Sequence, residues 1–142
     1  MNLRMKMKKI ILVVDDKRDI RSFIRAILEN SLSEYFLEII SMPSSDIALQ
    51  EIERRNGNID FISTNIHRSG INGYTFIEYV KANYPHIKIL VCSAHAQIAD
   101  LEKMFKEHLV DGFIRKPFRE NEYKNKVRNI FDMQNLVRLN LP

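Results

Sequence analysis

The sequence predicts an α/β fold, a five-stranded parallel sheet wound with helices on both faces. Short β-branched apolar runs alternate with amphipathic stretches of helical period along the whole chain. The first of these runs is continuously apolar, as in a strand covered on both sides, rather than alternating. A chain of 142 residues, 45% of them hydrophobic, also supports one core, which at this size buries about two-thirds of the unfolded surface. Strands that alternate with helices pair in parallel through helical crossovers.

Ile10–Val14 is the first strand. Arg4, Lys6, Lys8 and Lys9 precede it and imitate a secretory signal. The apolar run stops after five residues at Asp15-Asp16-Lys17-Arg18, short of the roughly 7–15 that an export signal needs. Ile20, Phe23, Ile24, Ile27 and Leu28 form one helical stripe. Phe36–Met42 is the second strand, closed by Pro43. Ser44 or Ser45 caps the next helix, whose inner face uses Ala48, Leu49 and Ile52, and Asn56-Gly57-Asn58 ends it. Ile59–Thr64 is the third strand, followed by a loop with Gly70 and Gly73, where Asn72-Gly73 turns into the next helix. Tyr74, Ile77 and Val80 line that helix, Ile87–Cys92 is the fourth strand, and Ile98, Leu101 and Phe105 mark the fourth helix. Gly112–Arg115 is a short fifth strand; Tyr123, Val127 and Ile130 stripe the fifth helix. The expected division is a basic N-terminal extension over 1–8, one domain over 9–133, and a tail or helix extension over 134–142.

Composition excludes several classes. No apolar run approaches the ~20 residues of a membrane span. The single cysteine, Cys92, allows no internal disulfide, which fits a reducing cytoplasm. The formal net charge of +4 resides in the first nine residues, with four bases and no acid; the remainder balances. The aromatics of the last helix do not interleave its bases as a single-strand binder would require, so nucleic-acid binding is not expected.

In a sheet of this kind ligands bind outside the carboxyl ends of the strands. Asp15-Asp16, Asn65, Ser93 and Lys116-Pro117 stand at those ends. Two adjacent carboxylates repel by roughly 4 kcal/mol at 4 Å and an effective dielectric near 20. A cation offsets that, and a hard one such as Mg²⁺ takes oxygen ligands. Read singly, each residue has a plainer explanation: Asp15 or Asp16 as a helix cap, Ser93 as a cap, Phe113 as a sheet aromatic, Cys92 as a small buried hydrophobe. His67 and His95 lack the spacing of a zinc site and read as loop residues.

Four motifs at four strand ends carry a resemblance: Val13-Val14-Asp15-Asp16, Ile59–Gly73, Cys92-Ser93-Ala94 and Asp111–Phe118. Over about residues 8–133 the chain resembles the receiver domain of two-component response regulators, the CheY-like superfamily. The resemblance implies a flavodoxin-like strand order 2-1-3-4-5. It implies Mg²⁺ held by Asp16 directly, by Asp15 largely through water, by residue 65 and by the backbone carbonyl of His67. Ser93 would donate its hydroxyl to a phosphoryl oxygen, Lys116 would pair with the phosphoryl group, and Phe113 would be the switch aromatic. A cis Lys116–Pro117 peptide is also implied. Implied partners are a histidine kinase or phosphotransfer protein and a downstream protein on the face of the fourth helix, fifth strand and fifth helix. A homodimer stays open.

The departure is Asn65, where the family has a phosphoaccepting aspartate. A carboxylate is a competent nucleophile; an amide, with a neutral oxygen and a delocalised nitrogen lone pair, is not. The change also weakens the Mg²⁺ site by on the order of 1–3 kcal/mol. Ser69, where the family usually has proline, is a second departure. The expected function is a stand-alone receiver in phosphorelay signalling, not itself an enzyme, either an engineered or recent loss-of-phosphorylation form or a pseudo-receiver. Two alternatives stay open: a constitutive, phosphate-independent interaction module, and a small Mg²⁺-dependent phosphohydrolase using Asp15 as nucleophile.

Overall fold

A computed structural model describes residues 6–66 and 73–139, with side chains to residue 134. The elements follow in order β1 (Lys8–Val14), α1 (Arg18–Ser31), β2 (Phe36–Met42), α2 (Ser45–Arg54), β3 (Phe61–Asn65), α3 (Gly73–Asn83), β4 (Lys88–Ser93), α4 (Ile98–Lys106), β5 (Gly112–Arg115) and α5 (Glu120–Leu139). All strand pairs are parallel and the spatial order is β2-β1-β3-β4-β5. Strand order reverses between β1 and β3, so the crevice for a ligand lies outside their carboxyl ends.

The pleat of β1 divides the core. Ile11 and Val13 point to one side, with Phe61, Leu90, Cys92 and Ile114, and meet α1 and α5. Ile10, Leu12 and Val14 point to the other, with Ile62, Ile89 and Val91, and meet α2, α3 and α4. Each large apolar side chain fully buried there contributes about 1.5–3 kcal/mol.

Two helix faces differ from the pattern read in the sequence. In α1, Ile24, Ile27 and Leu28 are buried, but Phe23 is exposed and stacks on Phe118 at 5.9 Å between ring centroids. In α4 the buried pair is Leu101 and Met104, whereas Ile98 and Phe105 are each about half exposed. Tyr123, Val127 and Ile130 are buried in α5 as expected, and the helix runs unbroken to Leu139.

The basic N-terminal residues are fastened to β2. Lys8 pairs with Glu38 at 2.9 Å, Lys9 lies over the Tyr35 ring and Lys6 over Phe36. Glu38 also takes Arg55, which bonds Glu51, and Arg54 bonds Glu51 too. These cations hold the Glu51 carboxyl down at about 2 and Glu38 below the usual carboxylate range. Ser44 caps α2 by accepting from the Ile47 N–H. The turn after α2 needs Gly57, whose φ is +75°; an added Cβ would fall 2.2 Å from Cδ1 of Tyr84.

At the amino ends of the strands one device appears twice. Asp60 donates its N–H to the Ile10 carbonyl, and Asp60 Oδ2 accepts the Ile10 N–H at 2.8 Å. Asp111 does the same with Ile89, and its Oδ2 also accepts Lys81 Nζ at 2.8 Å.

Candidate functional site

The chain leaves β1 at Asp15, and every polar group of that residue is engaged. Its N–H donates to the Met42 carbonyl at 3.1 Å, and its carbonyl accepts Arg21 Nη1 at 2.7 Å. Oδ1 accepts the Lys17 N–H at 2.9 Å, and Oδ2 meets Lys116 Nζ at 2.5 Å. Asp15 is 2% exposed, so this charge is held out of water by its partners. Asp16, one residue on, is exposed. The two acids occupy opposite environments, and the Lys116 ammonium on Asp15 offsets the repulsion expected of the pair.

Asp15, Asp16 and Asn65 line one hollow, closed on its far side by Pro43, Ser44 and Ser45. Asn65 ends β3 half-buried and lies opposite Cys92 of β4 in the register. One residue further, Ser93 is fully buried, and its Oγ accepts the N–H groups of His95 (3.3 Å) and Ala96 (3.0 Å). With both lone pairs so used, its hydroxyl hydrogen is what Ser93 offers a ligand. The Ser93 carbonyl accepts the Lys116 N–H at 2.9 Å, which ties the end of β4 to the residue following β5. The Lys116–Pro117 peptide is cis.

The sequence-predicted residues therefore divide. Asp15, Asp16 and Asn65 converge on the hollow, Lys116 reaches it through Asp15, and Ser93 is bound to Lys116 through the backbone. Phe113 stands apart, half-buried against Phe105 in an edge-to-face pair, with Lys126 Nζ 5.7 Å from its ring centroid. His95 is exposed. His67, Ser69, Gly70 and Asn72 lie outside the described residues.

Beneath the site, Cys92 is 1% exposed, and its Sγ lies 3.7 Å from Ser63 Oγ. Burial pushes the thiol up to about 12, which makes it inert rather than nucleophilic. The Tyr123 hydroxyl is buried beside the same pair, and burial raises its pKa well above the ordinary range.

Sequence reading missed Arg21 and the serine wall. Arg21 sits in the first turn of α1, where the helix dipole disfavours a cation. That misfit is a signal for a local anion, and the carbonyl of Asp15 supplies the partial charge. Pro43-Ser44-Ser45 read only as a strand end and a cap, because which strand neighbours β1 is not local information.

The donor set is carboxylate and amide oxygen, the ligand chemistry of a hard divalent cation. Among the described residues no group of three or more His, Cys, Asp or Glu side chains gathers into a metal cluster. The acid pair and the Asn65 amide oxygen thus fit Mg²⁺ by donor type, with one fewer carboxylate than an aspartate at 65 would give.

The family model of the response regulator receiver domain matches residues 11–128. The chain belongs to that family. It is 30% identical over 108 residues to the nitrogen assimilation regulatory protein NtrX of Azorhizobium caulinodans, covering 76% of this chain and 23% of that protein. The chain thus spans about a quarter of that relative's length. It is 28% identical over 128 residues to the chemotaxis protein CheY of Pseudomonas aeruginosa, covering 88% of this chain and 98% of CheY. The crystal structure of a receiver domain protein from Clostridium thermocellum superposes with a TM-score of 0.76 at 22% identity, over 91% of this chain and 98% of that one. That likeness establishes the flavodoxin-like arrangement. As a receiver domain the chain is part of two-component signalling, a role generally without enzymatic output. Such domains typically bind Mg²⁺ at the phosphorylation site and contact a histidine kinase or phosphotransfer protein and downstream effectors. Among the described residues no helix is long and apolar enough to cross a membrane.

Proposed function

We propose that this receiver signals through protein contacts with residue 65 unable to take a phosphoryl group, so that the chain as given stays near its unphosphorylated state. The observation that carries this reading is Asn65 in the hollow of Asp15 and Asp16. Its amide is no nucleophile, while two carboxylates that could hold a divalent cation line the same hollow. Asp16 would ligate Mg²⁺ directly, Asp15 through water, and the His67 carbonyl would complete the protein ligands. The cation, when bound, neutralises charge on a phosphoryl group. Ser93 would donate its hydroxyl to a phosphoryl oxygen, and Lys116 would leave Asp15 to pair with the same group.

Partners follow from the surface. A histidine kinase or phosphotransfer protein would approach the rim that holds Asp16. A downstream protein, or a second copy of the chain, would contact the face of α4, β5 and α5, where Ile98, Phe105 and Phe113 are exposed or half-buried. Phe113 would report the state of Ser93 to that face. A cytoplasmic location agrees with the single buried thiol.

The test is incubation of the chain and of Asn65→Asp with acetyl phosphate and Mg²⁺, followed by intact-mass measurement. A phosphoryl adduct on the variant alone is the expected result. An adduct on neither protein would leave a constitutive interaction module, and turnover of a phosphomonoester by the unaltered chain would point to a phosphohydrolase.

A further inference from the structure

We propose that Arg25 is a clasp on the open edge of the sheet, and that this edge, once unclasped, takes β2 of a second copy of the chain in antiparallel pairing. β2 is a terminal strand and pairs only with β1. The Phe36 N–H donates to the Met7 carbonyl, and the Met42 carbonyl accepts the Asp15 N–H, so the even-numbered residues of β2 turn their backbone groups to β1. Alternation then points the N–H and C=O groups of Leu37, Ile39 and Ser41 outward. The middle carbonyl is covered. Arg25 Nη2, from α1, donates to the Ile39 oxygen at 2.7 Å. Glu29, one turn further along the helix and 3.7 Å from Arg25 Nη1, steadies the guanidinium.

The two edges of the sheet are protected differently. β5 has only four residues, which gives a newcomer little to pair with. β2 has seven, none of them buried, in the run FLEIISM, without proline or glycine. Its single charge, Glu38, is neutralised by Lys8 and Arg55. A β-prone, uncharged edge of this kind accepts another strand. Neither length nor charge closes it, and the guanidinium on Ile39 does.

A second copy fits that edge by symmetry. A two-fold axis through Ile39 sets Leu37 opposite Ser41 of the second copy, so the outward groups meet in register. Glu38 then faces Ile40 of the second copy, not another Glu38, and no like charges oppose each other. Phe36, 60% exposed, faces Met42 of the second copy and gains cover. The pairing uses both Ile39 carbonyls, so both Arg25 side chains must let go.

Sedimentation equilibrium on the full chain, Arg25→Ala and Arg18→Ala tests this. Each dimer opens two clasps, so Arg25→Ala should tighten self-association by at least about tenfold. Arg18→Ala removes the same charge from the start of α1 without touching the edge, and should leave association unchanged. Adding Ser41→Pro to Arg25→Ala deletes one outward N–H per copy and should abolish the gain. Hydrogen exchange locates the contact: in Arg25→Ala the amides of Leu37, Ile39 and Ser41 gain protection as the dimer forms. Association no tighter in Arg25→Ala than in the unaltered chain would overturn the proposal. So would an equal gain in Arg18→Ala, which would mean a general charge effect, or protection appearing on α4, β5 and α5 in place of β2.

Discussion

At the amino-terminal rim of the sheet, Asp60 and Asp111 each exchange a pair of hydrogen bonds with the neighbouring strand, through Ile10 and Ile89. At the carboxyl-terminal rim, Asp15 is also saturated by partners, but Asp16 beside it stands exposed at the mouth of a hollow. The same residue type thus serves two ends of one sheet differently. A carboxylate with one oxygen taken by a backbone N–H closes a strand start. One carried past the end of the strand, as Asp16 is, stands exposed beside the hollow at the other rim. The difference lies in where the strand stops relative to the aspartate.

Substitution at the closed rim should have the largest effect on stability. Asp111→Ala removes the acceptor of the Ile89 N–H and leaves Lys81, 11% exposed, without its carboxylate. The expected loss is about 2–4 kcal/mol by urea denaturation. Mg²⁺ binding by the folded fraction should be unchanged; a loss within measurement error would mean that the reciprocal pairs carry little of the fold.

Acid sharpens the comparison next, because Glu38 and Glu51 fasten α2 and the start of β1 to the edge strand near the closed rim. Their carboxyls are held below their unfolded value of 4.5, Glu51 at about 2. A carboxylate depressed in the folded state contributes stability that is complete above the unfolded value and disappears as pH falls through the folded one. The urea midpoint should therefore fall between about pH 4.5 and pH 2, and Arg55→Gln should flatten that fall. An unchanged profile in Arg55→Gln would place the acid sensitivity elsewhere.

Asp16→Asn has the smallest expected effect on stability, within about 0.5 kcal/mol, as for an exposed substitution away from the core. Its effect on Mg²⁺ affinity should be large. A stability loss comparable to that of Asp111→Ala would erase the distinction between the two rims.

Much of this arrangement was legible in the sequence because it rests on local periodicity. The five apolar runs became five strands, and the rule that ligands sit beyond strand ends brought Asp15, Asp16, Asn65 and Lys116 together before any coordinates. The buried face of α4 was misread because apolar residues stand on two sides of it. A stripe through Ile98, Leu101 and Phe105 competes with Leu101 and Met104, and only packing against the sheet decides. Phe23 misled for a related reason: its partner Phe118 lies far away in sequence. Asp60 was read as part of the third strand and Asp111 as the first residue of a motif, since a lone aspartate beside a strand start carries no sign of the strand next door. That Lys116 could neutralise the acid pair was legible, but not that it seats on Asp15, because burial of that one carboxylate decides it.

The sealed thiol of Cys92 has a practical consequence. It is the only cysteine in the chain, 1% exposed, and held protonated up to about 12. A maleimide or spin label applied to the native protein will pass it by, so a cysteine introduced on α4 or on the Asp16 loop can be tagged selectively with the background residue left in place. The distance from the Asp16 loop to α4 then becomes measurable in solution without rebuilding the core.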